Sequence, residues 1–146
     1  MPSDNLRLLI VEDDQVDRMA FERFVQNKSL PYDYIVAGSI SEAEDLLQSN
    51  TFDIIITDYM LGDGTGLDLF DSMGDLPVIV VTGTGNEEVA VTAMKRGAYD
   101  YLIKDPNGYY LTTLPVTVEK ALKHKEAEKE LARYRKDLET LVKKRT

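Results

Sequence analysis

Asp53-Ile54-Ile55-Ile56-Thr57-Asp58 is the stretch that decides the fold. Three consecutive isoleucines cannot all face one way on a strand, so the run fits a strand buried on both sides. It ends on a carboxylate, Asp58. Working outward from this run at Asp53–Thr57, similar short segments rich in Ile, Val, Leu and Tyr recur at Leu6–Val11, Tyr32–Ala37, Pro77–Thr82 and Tyr99–Ile103. Amphipathic segments separate them. In the first, Val16, Ala20 and Phe24 share a face with Phe21 and Val25 beside it. The second opens on Ser41-Glu42-Ala43-Glu44, a capping-box sequence. A third helical pattern spans Leu67–Met73, and a fourth runs through Glu87–Arg96 to Gly97, a helix stop. The alternation predicts an α/β fold, a parallel sheet with helices on both faces. In such sheets chemistry gathers beyond the carboxyl ends of the strands.

Of 146 residues, 43% are hydrophobic, enough for one cored domain with an appendage. No apolar run reaches the roughly 18 residues of a membrane-spanning helix, and Met1-Pro2-Ser3-Asp4-Asn5 is not a secretory signal. Without cysteine there is no disulfide framework and no thiolate metal site, and a cytoplasmic location is the simplest expectation. Up to Val118 there are 7 Lys/Arg against 20 Asp/Glu, a net −13; from Glu119 onward there are 10 against 6, a net +4. Nucleic-acid binding needs clustered cations, so the acidic body argues against it.

The C-terminal segment differs from the rest. Thr113 and Pro115 form an N-cap and early-helix pair, and no Gly or Pro follows them. The roughly 32 residues left would make a rod of about 48 Å, of which only the first part can pack on a small domain. Beyond it, Ala127, Leu131, Tyr134, Leu138 and Leu141 are spaced 4, 3, 4, 3, a heptad seam. An amphipathic helix folded back on the core is the alternative. The expected organisation is a domain over residues 1–124 and a helical or coiled-coil linker over 125–146, leading to a further module of a longer protein.

The strand ends carry a consistent set of polar residues. The first strand runs into Glu12-Asp13-Asp14, the third into Asp58, the fourth ends on Thr82-Gly83 and the fifth on Lys104. Crowded carboxylates are costly: two like charges about 4 Å apart repel by about 4 kcal/mol at an effective dielectric near 20. A cation relieves this, and oxygen ligands favour Mg²⁺ or a similar hard ion such as Mn²⁺. Asp14 is expected to cap the first helix rather than bind an ion.

Together, Val11-Glu12-Asp13-Asp14, Ile56-Thr57-Asp58-Tyr59-Met60, Thr82-Gly83 and Tyr101-Leu102-Ile103-Lys104 resemble the receiver domain of two-component response regulators, over about residues 6 to 124. The resemblance implies a flavodoxin-like doubly wound sheet in the order 2-1-3-4-5. It implies Asp58 as the nucleophile toward a phosphohistidine of a histidine kinase or phosphotransfer protein. Asp13, Asp58 and the Met60 carbonyl would bind Mg²⁺ or Mn²⁺, with Glu12 acting through a metal-bound water. Lys104 would neutralise phosphoryl charge and pair with Asp58 beforehand. Thr82 would donate to the phosphoryl group afterwards, and Tyr101 would turn inward as the switch. The partner would then read the face formed by the fourth helical pattern, the fifth strand and the last helix.

Two features depart from the family pattern. Gly62 stands where a proline is usual, so the loop beside the site should be looser. Asp105-Pro106-Asn107-Gly108 intervenes between Lys104 and Tyr109-Tyr110, where proline usually follows the lysine at once. Met60 and Thr84, on the route of the hydrolysing water, are poor at orienting it, which implies a long-lived phosphoaspartate. Gly62-Asp63-Gly64-Thr65-Gly66 lacks the spacing of a dinucleotide loop and reads as a flexible turn. Rival functions are a phosphorylation-independent interaction module that dimerises through the tail, and a small metal-dependent phosphatase. The second of these wants an aspartate where Met60 stands.

Overall fold

The computed structural model describes residues 5–83 and 87–145, and Thr84 lies outside them. Five strands, β1 (Leu6–Val11), β2 (Tyr32–Ala37), β3 (Ile54–Asp58), β4 (Val78–Gly83) and β5 (Asp100–Lys104), form one sheet in the order 2-1-3-4-5. Every pairing is parallel. This is the doubly wound flavodoxin-like arrangement expected. The last three strands begin and end one residue later than their apolar runs. Asp58 therefore pairs with Val81 inside the ladder, and Gly83 pairs with Lys104. Asp58, Thr82 and Lys104 are thus held by the sheet itself.

Alternation along the buried strands supplies two cores. Leu9, Val11, Ile55, Val78 and Val80 face one side, where they meet Ala43 of α2 (Ile40–Ser49) and Ala93 of α3 (Glu87–Arg96). Leu8, Ile10, Ile54, Ile56, Ile79 and Val81 face the other. There they meet Phe21 and Val25 of α1 (Gln15–Asn27) and Leu111, Leu114 and Val118 of α4 (Tyr109–Arg145). The face of α1 is thus centred on Phe21 and Val25, while Val16 is exposed. Fully burying one such side chain contributes roughly 1.5–3 kcal/mol.

Three local readings change. The pattern over Leu67–Met73 makes only a 3₁₀ turn, Gly66–Leu69, followed by turns. Glycines and aspartates flank it, and so short a segment gains too few bonds to repay helix nucleation. The cap of α2 lies two residues earlier than expected: Ser39 Oγ accepts from the Glu42 amide at 3.1 Å, and Glu42 Oε2 accepts from the Gly38 amide at 3.0 Å. Helix α4 begins at Tyr109, a turn before Thr113, because the Asp105 carboxylate accepts from the Tyr109 and Tyr110 amides, both at 3.0 Å. Pro115 consequently lies inside the helix. The Thr113 and Thr117 hydroxyls donate to the carbonyls of Tyr110 and Thr113 around it.

The glycine-rich loop is a structured ribbon. Met60–Leu61 pairs antiparallel with Gly64–Thr65. A Cβ at Gly66 would lie 2.5 Å from the Asp58 carbonyl oxygen and 2.9 Å from the Thr57 side chain, so only glycine allows the chain to return there. Asp63 in this loop accepts from the Ile40 and Ser41 amides at 3.0 and 3.1 Å, tying the loop to the start of α2.

Helix α4 has 37 residues. Leu111, Leu114, Val118 and Ala121 are buried, whereas everything from Glu126 to Lys144 is exposed. The tail does not fold back on the core. No described helix is long and apolar enough to cross a membrane.

Candidate functional site

The carboxyl ends of β1, β3, β4 and β5 converge because the ladder registers place them at one edge of the sheet. Glu12 and Asp13 follow β1 directly, and Asp14 then starts α1, its carboxylate accepting from the Val16 amide at 2.8 Å. This capping bond is the role expected of Asp14. One carboxylate oxygen from each of Glu12, Asp13 and Asp58 lies within 4.8 Å of the others. Glu12 is buried, Asp58 half-buried and Asp13 exposed, so the cluster opens toward solvent through Asp13.

Lys104 reaches this cluster from the end of β5. Its Nζ lies 2.6 Å from Glu12 Oε1, 2.7 Å from Asp17 Oδ2 and 3.0 Å from Asp58 Oδ2. Burial opposes the charge on Lys104, but the hydrogen bonds to Asp17 and Glu12 and the Asp58 charge outweigh it. The ammonium is held well above the ordinary lysine range. Burial pushes Glu12 up to about 7, with the neighbouring Asp58 adding to the effect and Lys104 opposing it. Asp58 Oδ1 also accepts from the Tyr59 amide at 3.1 Å, which fixes the orientation of the carboxylate.

Thr82 is 1% exposed, and its hydroxyl has no partner among the described residues. A buried hydroxyl left unpaired costs about 1–3 kcal/mol. Tyr101 lies on β5 with 38% of its surface exposed. Met60 is two residues past Asp58, in the ribbon, with an exposed side chain.

Of the residues expected at the site, the fold brings Glu12, Asp13, Asp58 and Lys104 into contact range, while Tyr101 points outward. Sequence reasoning missed Asp17 and Tyr110. Asp17 lies in the first turn of α1, where an acidic residue reads as a partner of the helix dipole; only the fold shows it facing Lys104. Tyr110 lines a cavity of about 30 Å³ with Glu12, Asp17, Asp58 and Lys104. Burial pushes its phenol up to about 12.

An open parallel α/β sheet gathers three acids, a half-buried lysine and an unpaired hydroxyl at its carboxyl edge. The response regulator receiver domain family matches residues 8–115, and this chain belongs to it. Among its relatives is the alginate biosynthesis transcriptional regulatory protein AlgB of Pseudomonas aeruginosa, 34% identical over 102 residues. That match covers 67% of this chain and 22% of AlgB. The two-component response regulator ARR2 of Arabidopsis thaliana is 35% identical over 105 residues, covering 68% of this chain and 16% of ARR2. The chain thus spans less than a quarter of the length of either relative. Its fold matches a receiver domain protein from Clostridium thermocellum with a TM-score of 0.71 at 23% identity, over 84% of this chain and 98% of that one. NtrX from Brucella abortus matches with a TM-score of 0.73 at 24% identity, over 89% of this chain and 29% of NtrX.

Proposed function

We propose that Asp58 accepts a phosphoryl group from a phosphohistidine on a histidine kinase or phosphotransfer protein. An Asp58 carboxylate oxygen forms the new bond to phosphorus as the phosphorus–nitrogen bond to the imidazole breaks, and the electron pair departs on that nitrogen. The observation that carries this is the pairing of Lys104 with Asp58 at 3.0 Å, beside an orphaned hydroxyl on the neighbouring strand. The transition state of phosphoryl transfer is loose, so positioning and charge compensation suffice and no strong base is needed.

Asp13 and Asp58, with the Met60 carbonyl, would hold Mg²⁺ or Mn²⁺, and Glu12 would act through a water of that ion. The three clustered acids fit a hard cation with oxygen ligands. When bound, the ion neutralises charge on the phosphoryl oxygens. Lys104 follows that charge, leaving Glu12 and Asp17, and Thr82 donates its hydroxyl to a phosphoryl oxygen. Tyr101 then turns toward the space Thr82 leaves, repacking the face formed by α3, β5 and α4. We further propose that residues 125–146 link the receiver to a downstream module and that copies associate through the exposed seam of α4.

The test is acetyl phosphate with Mg²⁺ and the variant Asp58→Asn. The wild-type chain gains one phosphoryl group that hydroxylamine and alkali remove, as expected of an acyl phosphate, and the variant gains none. Equal labelling of the variant would remove Asp58 from the role.

A further inference from the structure

The protruding part of α4 carries an apolar seam that nothing in its own chain covers: Leu131, Tyr134, Leu138 and Leu141 are 52%, 64%, 47% and 48% exposed. We infer that its occupant is the same seam of a second copy, lying parallel and in register, with Lys123 facing Glu128 and Glu130 facing Arg135 between the two chains. This rests on the reading that copies associate through α4, and it adds the orientation and the pairs that set it.

The first argument is placement. At about 100° of rotation per residue, the seam is centred about 160° round the helix from the face that buries Leu111, Leu114, Val118 and Ala121. The receiver bodies would therefore sit on the outer sides of a helix pair, clear of each other. The second argument is charge. With Leu131 and Leu138 at first heptad positions and Tyr134 and Leu141 at fourth positions, Lys123 and Glu130 flank the seam on one side, and Glu128 and Arg135 flank it on the other. A parallel pair sets each residue of the first set against the residue five further on in the partner, and both contacts are then of opposite sign. The antiparallel register that overlaps all four exposed seam residues instead sets Arg135 against Arg135 and Asp137 against Asp137. Its one favourable flanking contact is Glu130 with Lys144. Within the described chain neither Glu130 nor Arg135 makes an ion pair, so both are available to a partner, whereas Lys123 and Glu128 would exchange exposed pairs within their own helix, to Glu119 at 2.9 Å and to His124 at 2.9 Å, for the contact between chains.

The chain has no cysteine, which gives a clean background for crosslinking. Leu131→Cys and Leu141→Cys are made separately, with Lys136→Cys on the outer face as control, and the purified 146-residue chains are oxidised mildly. In a parallel pair each seam variant crosslinks with itself, on the order of ten-fold more than the control. In the Leu131→Cys background, Glu130→Arg lowers the yield and the further change Arg135→Glu restores it. Crosslinks that form only when Leu131→Cys and Leu141→Cys are mixed would establish the antiparallel pair, overturning the inference while leaving association through α4 intact. Charge reversal without effect would overturn the assigned pairs. No crosslink in any arm, together with a monomer in sedimentation, would overturn both the inference and the association it rests on. None of these outcomes bears on phosphorylation of Asp58.

Discussion

At Thr82 a hydroxyl is buried near the end of an inner strand with no partner among the described residues, while the adjacent strand ends on a lysine shared by three carboxylates. Folding alone does not favour that hydroxyl. Replacing it with a methyl group of the same shape removes an unsatisfied polar atom, so Thr82→Val should raise stability by about 1 kcal/mol. Urea denaturation of the unphosphorylated chain measures this, and a clear loss would mean the hydroxyl already has a structural partner. The same variant should still accept phosphate but respond to it weakly. Glu12, Asp13, Asp58, Thr82 and Lys104 were legible because each ends or follows a strand, and strand ends follow from short apolar runs. Asp17 was not legible. Its contact with Lys104 spans 87 residues and depends on how α1 is set against β5.

Elements show the same division. The strands were found to within one residue, because each coincides with a short, compact apolar run, even β5, none of whose residues is fully buried. Helix ends were harder, since capping partners compete locally and sometimes from afar. Asp63 is the far case, closing the amino end of α2 across 23 residues. Its bonds from the Ile40 and Ser41 amides hold its carboxyl below the usual 3.8. A depressed folded-state value means stability that is present above 3.8 and lost as pH falls through the lower folded value. Asp63→Asn should therefore be less stable than the wild type at neutral pH. The gap should close as thermal unfolding is followed into acid below that range; a gap independent of pH would show that charge is irrelevant to this cap.

On the scale of the whole molecule, charge is divided between an acidic body and a basic tail, −13 against +4. A cation that gathers Glu12, Asp13 and Asp58 binds the folded chain alone, so it should stabilise by mass action, by about 2.7 kcal/mol at a hundred times its dissociation constant. Mg²⁺ should raise the melting temperature beyond what NaCl of equal ionic strength achieves, and Asp13→Asn should blunt the gain; an undiminished gain would move the ion elsewhere. The division of charge was plain in the sequence, but the continuity of α4 was not, because Pro115 reads as a beginning rather than an interior residue. A helix fixed to the sheet by its first four turns and free thereafter is a lever. Its arm from Lys125 to Arg145 is about 30 Å long, so a tilt of about 5° at the root, too small to break the packing of Leu114 or Val118, would sweep the far end through about 3 Å.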